Sequence, residues 1–218
     1  MIQLVVAIAL CVLVHLLTMA AVGRAFGVSI EEFSFGLGPT LVRIGRMRLG
    51  PIPLGGYVKF LHSEEDLVSD DAMHTAYDGK STTEQILVAI AGCMALLSIA
   101  TLVLGNRVAV QTALDAPGQL LHGGVFTMDA AKQIQRHAVS FVQSAPFLDL
   151  LGVVAAKWAA INLLPLPGCN GGKVIAVLAG RFGLRQIWPP VATLFLLMAY
   201  VIVLASWCLS FVLNATAS

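Results

Sequence analysis

Residues 2–22 read IQLVVAIALCVLVHLLTMAAV. The stretch carries no charge and is long enough to span about 30 Å of hydrocarbon as a helix. One histidine, His15, sits two-thirds of the way along it. An ionisable side chain inside such a span is costly and needs a partner. The run lacks a positive leading region and is too long for the apolar core of a signal peptide, so it reads as a retained transmembrane helix.

The rest of the chain belongs to the same class. Of 218 residues, 58% are hydrophobic and 11% charged. Mean hydropathy is +0.86, and soluble domains carry about a quarter charged residues. The expectation is one integral membrane domain over 1–218, with transmembrane helices at about 2–22, 86–104, 146–164 and 189–213. Net charge is +1, so no nucleic-acid partner is expected. Cys11, Cys93, Cys169 and Cys208 have no CxxC spacing, which argues against a disulfide framework.

Basic residues give the orientation. Arg24, Arg43, Arg46, Arg48, Lys59 and Lys80 follow the first span, and Lys173, Arg181 and Arg185 lie between the third and fourth. Only Arg107, Lys132 and Arg136 occupy 105–145. The bias of nine against three places 23–85 and 165–188 in the cytoplasm and 105–145 outside.

Residues 28–60, VSIEEFSFGLGPTLVRIGRMRLGPIPLGGYVKF, are a β-rich segment punctuated by Gly and Pro. TLVRI and MRLGPI flank a Gly45–Arg46 hairpin turn, and GGYVKF gives another strand. One reading is an interfacial hairpin. The other is a small sheet that offers an edge, at Gly55, Gly56, Tyr57 and Val58, to an extended peptide by strand addition. Residues 61–83 form an acidic linker, and 105–145 an external loop. Lys157 interrupts the third span. It either snorkels or meets a polar group within the bundle, or it pairs with a partner subunit. Pro165, Pro167 and Gly171–Gly172 break the third helix into a turn.

The chain resembles the site-2 protease family, membrane-embedded zinc metalloproteases. The resemblance rests on FSFGLGP (33–39), PLGGYVK (53–59), YDGKSTTEQILVAIAG (77–92) and NLLPLPGCNGGKVI (162–175), in the family's order. It implies a helical membrane core, an interfacial sheet, and a site on the cytoplasmic side between the first and third spans. Residues 105–145 are too few to hold the periplasmic peptide-binding domain found in many members. The family's H-E-x-x-H holds zinc through two histidines on one helical face, while its glutamate deprotonates bound water. Here that motif reads His15, Leu16, Leu17, Thr18, Met19, and the aspartate of the family's D-G-G is Asn170. The family's G-P-x-x-N reads GCMAL, with Cys93 and Leu96 at the departures.

One of three protein ligands therefore remains and the base is absent. No catalytic residue, zinc or other cofactor is expected. The reading is a catalytically inactive scaffold or binding subunit in the bilayer, holding other integral membrane proteins or a larger membrane complex. A bacterial inner membrane is the expected location. The alternative is a divergent intramembrane zinc metalloprotease cleaving transmembrane substrates. His15 is then either a neutral imidazole bonded to a backbone carbonyl or to Asn170, or the remnant of a metal site with Cys11 and Cys169.

Overall fold

The computed structural model describes residues 2–63, 70–122, 128–184 and 187–216. Residues 64–69 of the acidic linker, 123–127 of the outer loop and Arg185 lie outside them. The order is α1 (Ile2–Ala25), four strands, then a short 3-10 turn at Asp70–Thr75. Six helices follow: α2 (Thr82–Leu104), α3 (Asn106–Leu121), α4 (Met128–Ser144), α5 (Phe147–Asn162), α6 (Asn170–Arg181) and α7 (Pro190–Thr216).

The chain is mostly helical, with a small sheet after the first helix. Among the described residues, three helices are long and apolar enough to cross a membrane: α1, α2 and the Pro190–Trp207 part of α7. The expected third span differs. α5 has 16 residues, about 24 Å of helical rise, which is short for the hydrocarbon core. It is nevertheless central. Ala155, Ala156 and Ala159 are fully buried in a cluster with Cys11, Cys93 and Leu96. Small side chains let helix backbones approach closely where lipid gives no hydrophobic driving force between them.

Other boundaries moved for local reasons. α2 begins at Thr82 rather than 86, because Ser81 and Glu84 form a capping box in which each side chain satisfies the other's backbone N–H. Residues 105–145 are not a loop. They hold α3 and α4, whose mixed composition hid two amphipathic helices. Gln135 of α4 is buried and donates to the Trp207 carbonyl of α7 at 3.0 Å.

The sheet has the order β2-β3-β1-β4, built from β1 (Ile30–Leu37), β2 (Val42–Ile44), β3 (Met47–Leu49) and β4 (Ile52–Phe60). β2 and β3 are the antiparallel hairpin closed at Gly45–Arg46. β3 runs parallel to β1, and β4 pairs antiparallel with β1, Val58 opposite Phe33. So the β-rich segment is a sheet rather than a lone hairpin, and β4 is one of its edges. Its apolar face packs on α1: Ile30, Phe33, Val58 and Phe60 share one buried cluster with Val12, Leu16 and Met19. This packing sets β4 beside the buried face of α1.

Candidate functional site

His15 and Met19 are four residues apart, so they project from the same face of α1. Both are buried, at 5% and 4% exposure. Asn170 is the first residue of α6 and equally buried, at 6%. The route from α5 to α6 runs through Pro165 and Pro167, and it turns tightly enough for α6 to start against its own connection. A Cβ added at Gly171 would lie 2.0 Å from the Leu163 carbonyl oxygen, and one at Gly172 would lie 1.9 Å from that of Leu166. Only hydrogen fits at either position, so this glycine pair fixes where Asn170 stands.

Asn170 Nδ2 points into the gap between α1 and α2. It lies 3.1 Å from His15 Nε2, 3.4 Å from Met19 Sδ and 3.7 Å from Cys93 Sγ. A thioether can only accept, so the amide group facing it is the NH2. His15 Nε2 is then an acceptor, and the neutral imidazole carries its proton on Nδ1. That nitrogen is buried and lies against α2 at Gly92, where an added Cβ would fall 2.5 Å from it. An amide therefore ties three helices together at one point.

Leu16 occupies the position where the resemblance puts the base. It is 4% exposed, and its Cδ1 packs on β4, 2.6 Å from where a Cβ on Gly56 would be. Thr18 spends its hydroxyl on the Val14 carbonyl of its own helix, at 2.8 Å. Leu96, where the resemblance expects an asparagine, is fully buried in apolar company.

Zinc does not fit this set. A catalytic zinc is held by three protein ligands with lone pairs aimed at the ion. Here the inward-facing group of Asn170 is a hydrogen-bond donor, and Met19 offers a thioether, too soft for zinc. The described residues contain no group of three or more His, Cys, Asp or Glu placed to hold a metal ion.

The structure brings some expected residues together and separates others. Gly55, Gly56, Tyr57 and Val58 line the same cleft of about 120 Å3 as His15, Leu16, Met19 and Asn170. Cys11 packs instead with Cys93 and the α5 alanines. Cys169 precedes α6 without capping it through its side chain. The thiol beside Asn170 is thus Cys93, to which the sequence reading gave no part in a cluster. Lys157 is also elsewhere. Its ammonium donates to Gln119 of α3, so it serves the interior of the bundle rather than the cleft. Trp158, one position on, lines the cleft.

A larger groove of about 940 Å3 opens beside the cleft. Residues 57–60 of β4 form one wall, α2 another, and α6 the third through Lys173, Ala176, Val177, Gly180 and Arg181. Met19, Tyr57, Val58 and Lys173 line both spaces. Asp78 sits in this groove and accepts from the Ser63 backbone N–H at 2.9 Å and from the Ser63 hydroxyl. Burial pushes its pKa up, but the bonds from Ser63 outweigh that and hold the carboxyl below the usual carboxylate range.

The sequence pattern of Peptidase family M50 matches residues 3–206. A Chlamydia trachomatis protein named as a candidate zinc metalloprotease is 37% identical over 111 residues, covering 45% of this chain and 18% of that protein. The Haemophilus influenzae regulator of sigma E protease is 34% identical over 96 residues, 42% of this chain and 21% of its own length. The Escherichia coli regulator of sigma-E protease RseP is 35% identical over 97 residues, 42% of this chain and 21% of its own. The chain spans about a fifth of the length of these relatives.

Proposed function

The chain belongs to peptidase family M50, and from that premise we propose that it is a member without catalysis, one that holds a membrane polypeptide and does not cut it. The observation that carries this reading is the bond from Asn170 Nδ2 to His15 Nε2 at 3.1 Å. Hydrolysis by a family member needs an ion at that point and a base beside it. This chain puts an amide N–H at the point and Leu16 where the base belongs. Among the described residues, the cleft is lined by no carboxylate that could act as the base. His15 has one nitrogen engaged by Asn170 and the other against Gly92, so neither is free to take a proton from water.

What remains is a binding surface. β4 is an edge of the sheet, and its residues 57–60 border a groove large enough for an extended segment. An unpaired edge gives main-chain donors and acceptors to a partner strand, and alternate side chains then enter pockets on either side. The occupant in this reading is a segment of another integral membrane protein, within a larger membrane complex. The groove side, with β4 and α6, faces the cytoplasm of a bacterial inner membrane, as the basic-residue bias expects.

The second reading is intramembrane proteolysis, favoured by the names of the relatives. One experiment separates the two. The protein is purified in mild detergent, its metal content is measured after dialysis, and copurifying membrane proteins are identified. We expect less than a tenth of an equivalent of zinc and a stoichiometric, uncut partner. Zinc at one per chain that survives chelator, or cleavage of a copurified protein lost in His15→Ala, would overturn the inactive reading.

A further inference from the structure

The groove has an uneven charge. Among the described residues its one carboxylate is Asp78, engaged by Ser63. Of its cations, Lys59 already pairs with Glu31 at 2.7 Å. Lys173 and Arg181 are exposed, line the groove, and have no anionic partner among the described residues. They are eight residues apart on α6, with Val177 midway, four from each, so all three share one helical face. Eight residues of helix rise about 12 Å. An extended strand repeats its side chains on one face, and four residues of strand advance about 13 Å. The two spacings agree.

We infer that the groove between β4 and α6 selects an acidic peptide segment, with carboxylates four residues apart in extended conformation meeting Lys173 and Arg181. This rests on the docking of a strand at the β4 edge proposed above and specifies which sequences that edge accepts. β4 supplies main-chain pairing, which is blind to sequence. The α6 cations supply the discrimination. An anionic lipid headgroup would also meet two cations, but it would leave the backbone groups of β4 unused. Lys173 lines the cleft as well as the groove, so the carboxylate it meets lies nearest the Asn170–His15 pair.

The test uses the whole chain in phosphatidylcholine nanodiscs and fluorescein-labelled ten-residue apolar peptides. One peptide carries Glu at two positions four apart, and the other carries Gln at both. The Glu peptide is expected to bind about two- to thirtyfold tighter, the range for two exposed ion pairs, with the preference falling as salt rises. Lys173→Gln and Arg181→Gln each reduce that preference, the double variant abolishes it, and Lys173→Arg keeps it. Binding of the Gln peptide by each variant reports that it is folded. Equal affinities for the two peptides, or a preference that survives in the double variant, overturn the inference and leave the β4 edge standing. Failure of both peptides to bind overturns the edge reading too. If phosphatidylglycerol in the discs displaces both peptides through Lys173, the cations read a lipid headgroup and the peptide inference falls.

Discussion

The side-chain amide of Asn170 donates to His15 Nε2 at 3.1 Å, joining residues 155 positions apart in the chain. Both are at most 6% exposed. This contact gives the buried histidine its partner and, in the function proposed above, puts a donor where a family member would hold an ion. Removing it leaves a buried acceptor unsatisfied, at a cost of about 1–3 kcal/mol. Asn170→Ala is therefore expected to lower the thermal midpoint in detergent by several degrees. His15→Leu added to Asn170→Ala should then cost less than His15→Leu alone, because the bond is already gone. Strict additivity of the two would mean the pair is not coupled.

Restoring the family's chemistry needs three changes at once. Leu16→Glu, Met19→His and Asn170→Asp together supply two imidazoles, a carboxylate and a base around the present cleft. The triple variant is expected to take up about one zinc per chain, measured by elemental analysis after dialysis. A folded triple variant that binds none would show that α1 and α6 do not keep the family's geometry.

At Gly92, α2 comes into close contact with α1 beside the site. A methyl group there would fall 2.5 Å from both His15 Nδ1 and the His15 carbonyl oxygen. Gly92→Ala must push the helices apart, for about 1–3 kcal/mol of destabilisation. It is also expected to weaken the Asn170 contact, seen as a shift of the His15 ring resonances in selectively labelled protein. Unchanged stability and an unmoved ring would refute the close approach.

The capping box predicts a local effect. Ser81 accepts from the Glu84 N–H, and the Glu84 carboxylate accepts from the Ser81 N–H at 2.8 Å. Ser81→Ala is expected to cost about 1 kcal/mol. Amide exchange should accelerate over 82–85 and not at the centre of α2. Uniform acceleration along the helix would point to a packing defect instead.

The Ser63–Asp78 bonds predict a pH dependence. Asp78 has its folded pKa lowered, so its contribution is full above the unfolded value of about 3.9. It is lost as pH falls through the lower folded value. Wild type is expected to be more stable than Asp78→Asn at pH 7, with the gap closing below about pH 4. A gap that persists at pH 2 would mean the difference is steric.

Much of this was legible in the sequence because it depends on local rules. The uncharged run at 2–22, the hairpin turn at Gly45–Arg46, and the apolar replacements at Leu16 and Met19 can be read from spacing and side-chain type alone. Lys157 could only be flagged as costly; its partner, Gln119, lies on another helix. The helices of 106–144 were missed because α3 and α4 bury narrow stripes against neighbours, so their composition resembles that of a loop.

Sequence determined the membrane class and the family, and it fixed the residue types at His15, Leu16, Met19 and Asn170 on which the proposed inactivity rests. Tertiary structure alone decided how those side chains meet. That Cys93 rather than Cys11 approaches Asn170, that the amide presents its NH2 to His15 and Met19, and that Lys173 and Arg181 look across a groove at β4 all depend on how α1, α2, α6 and the sheet pack. The close contacts at Gly92, Gly171 and Gly172 set those distances, and no local pattern encodes a distance between segments a hundred residues apart.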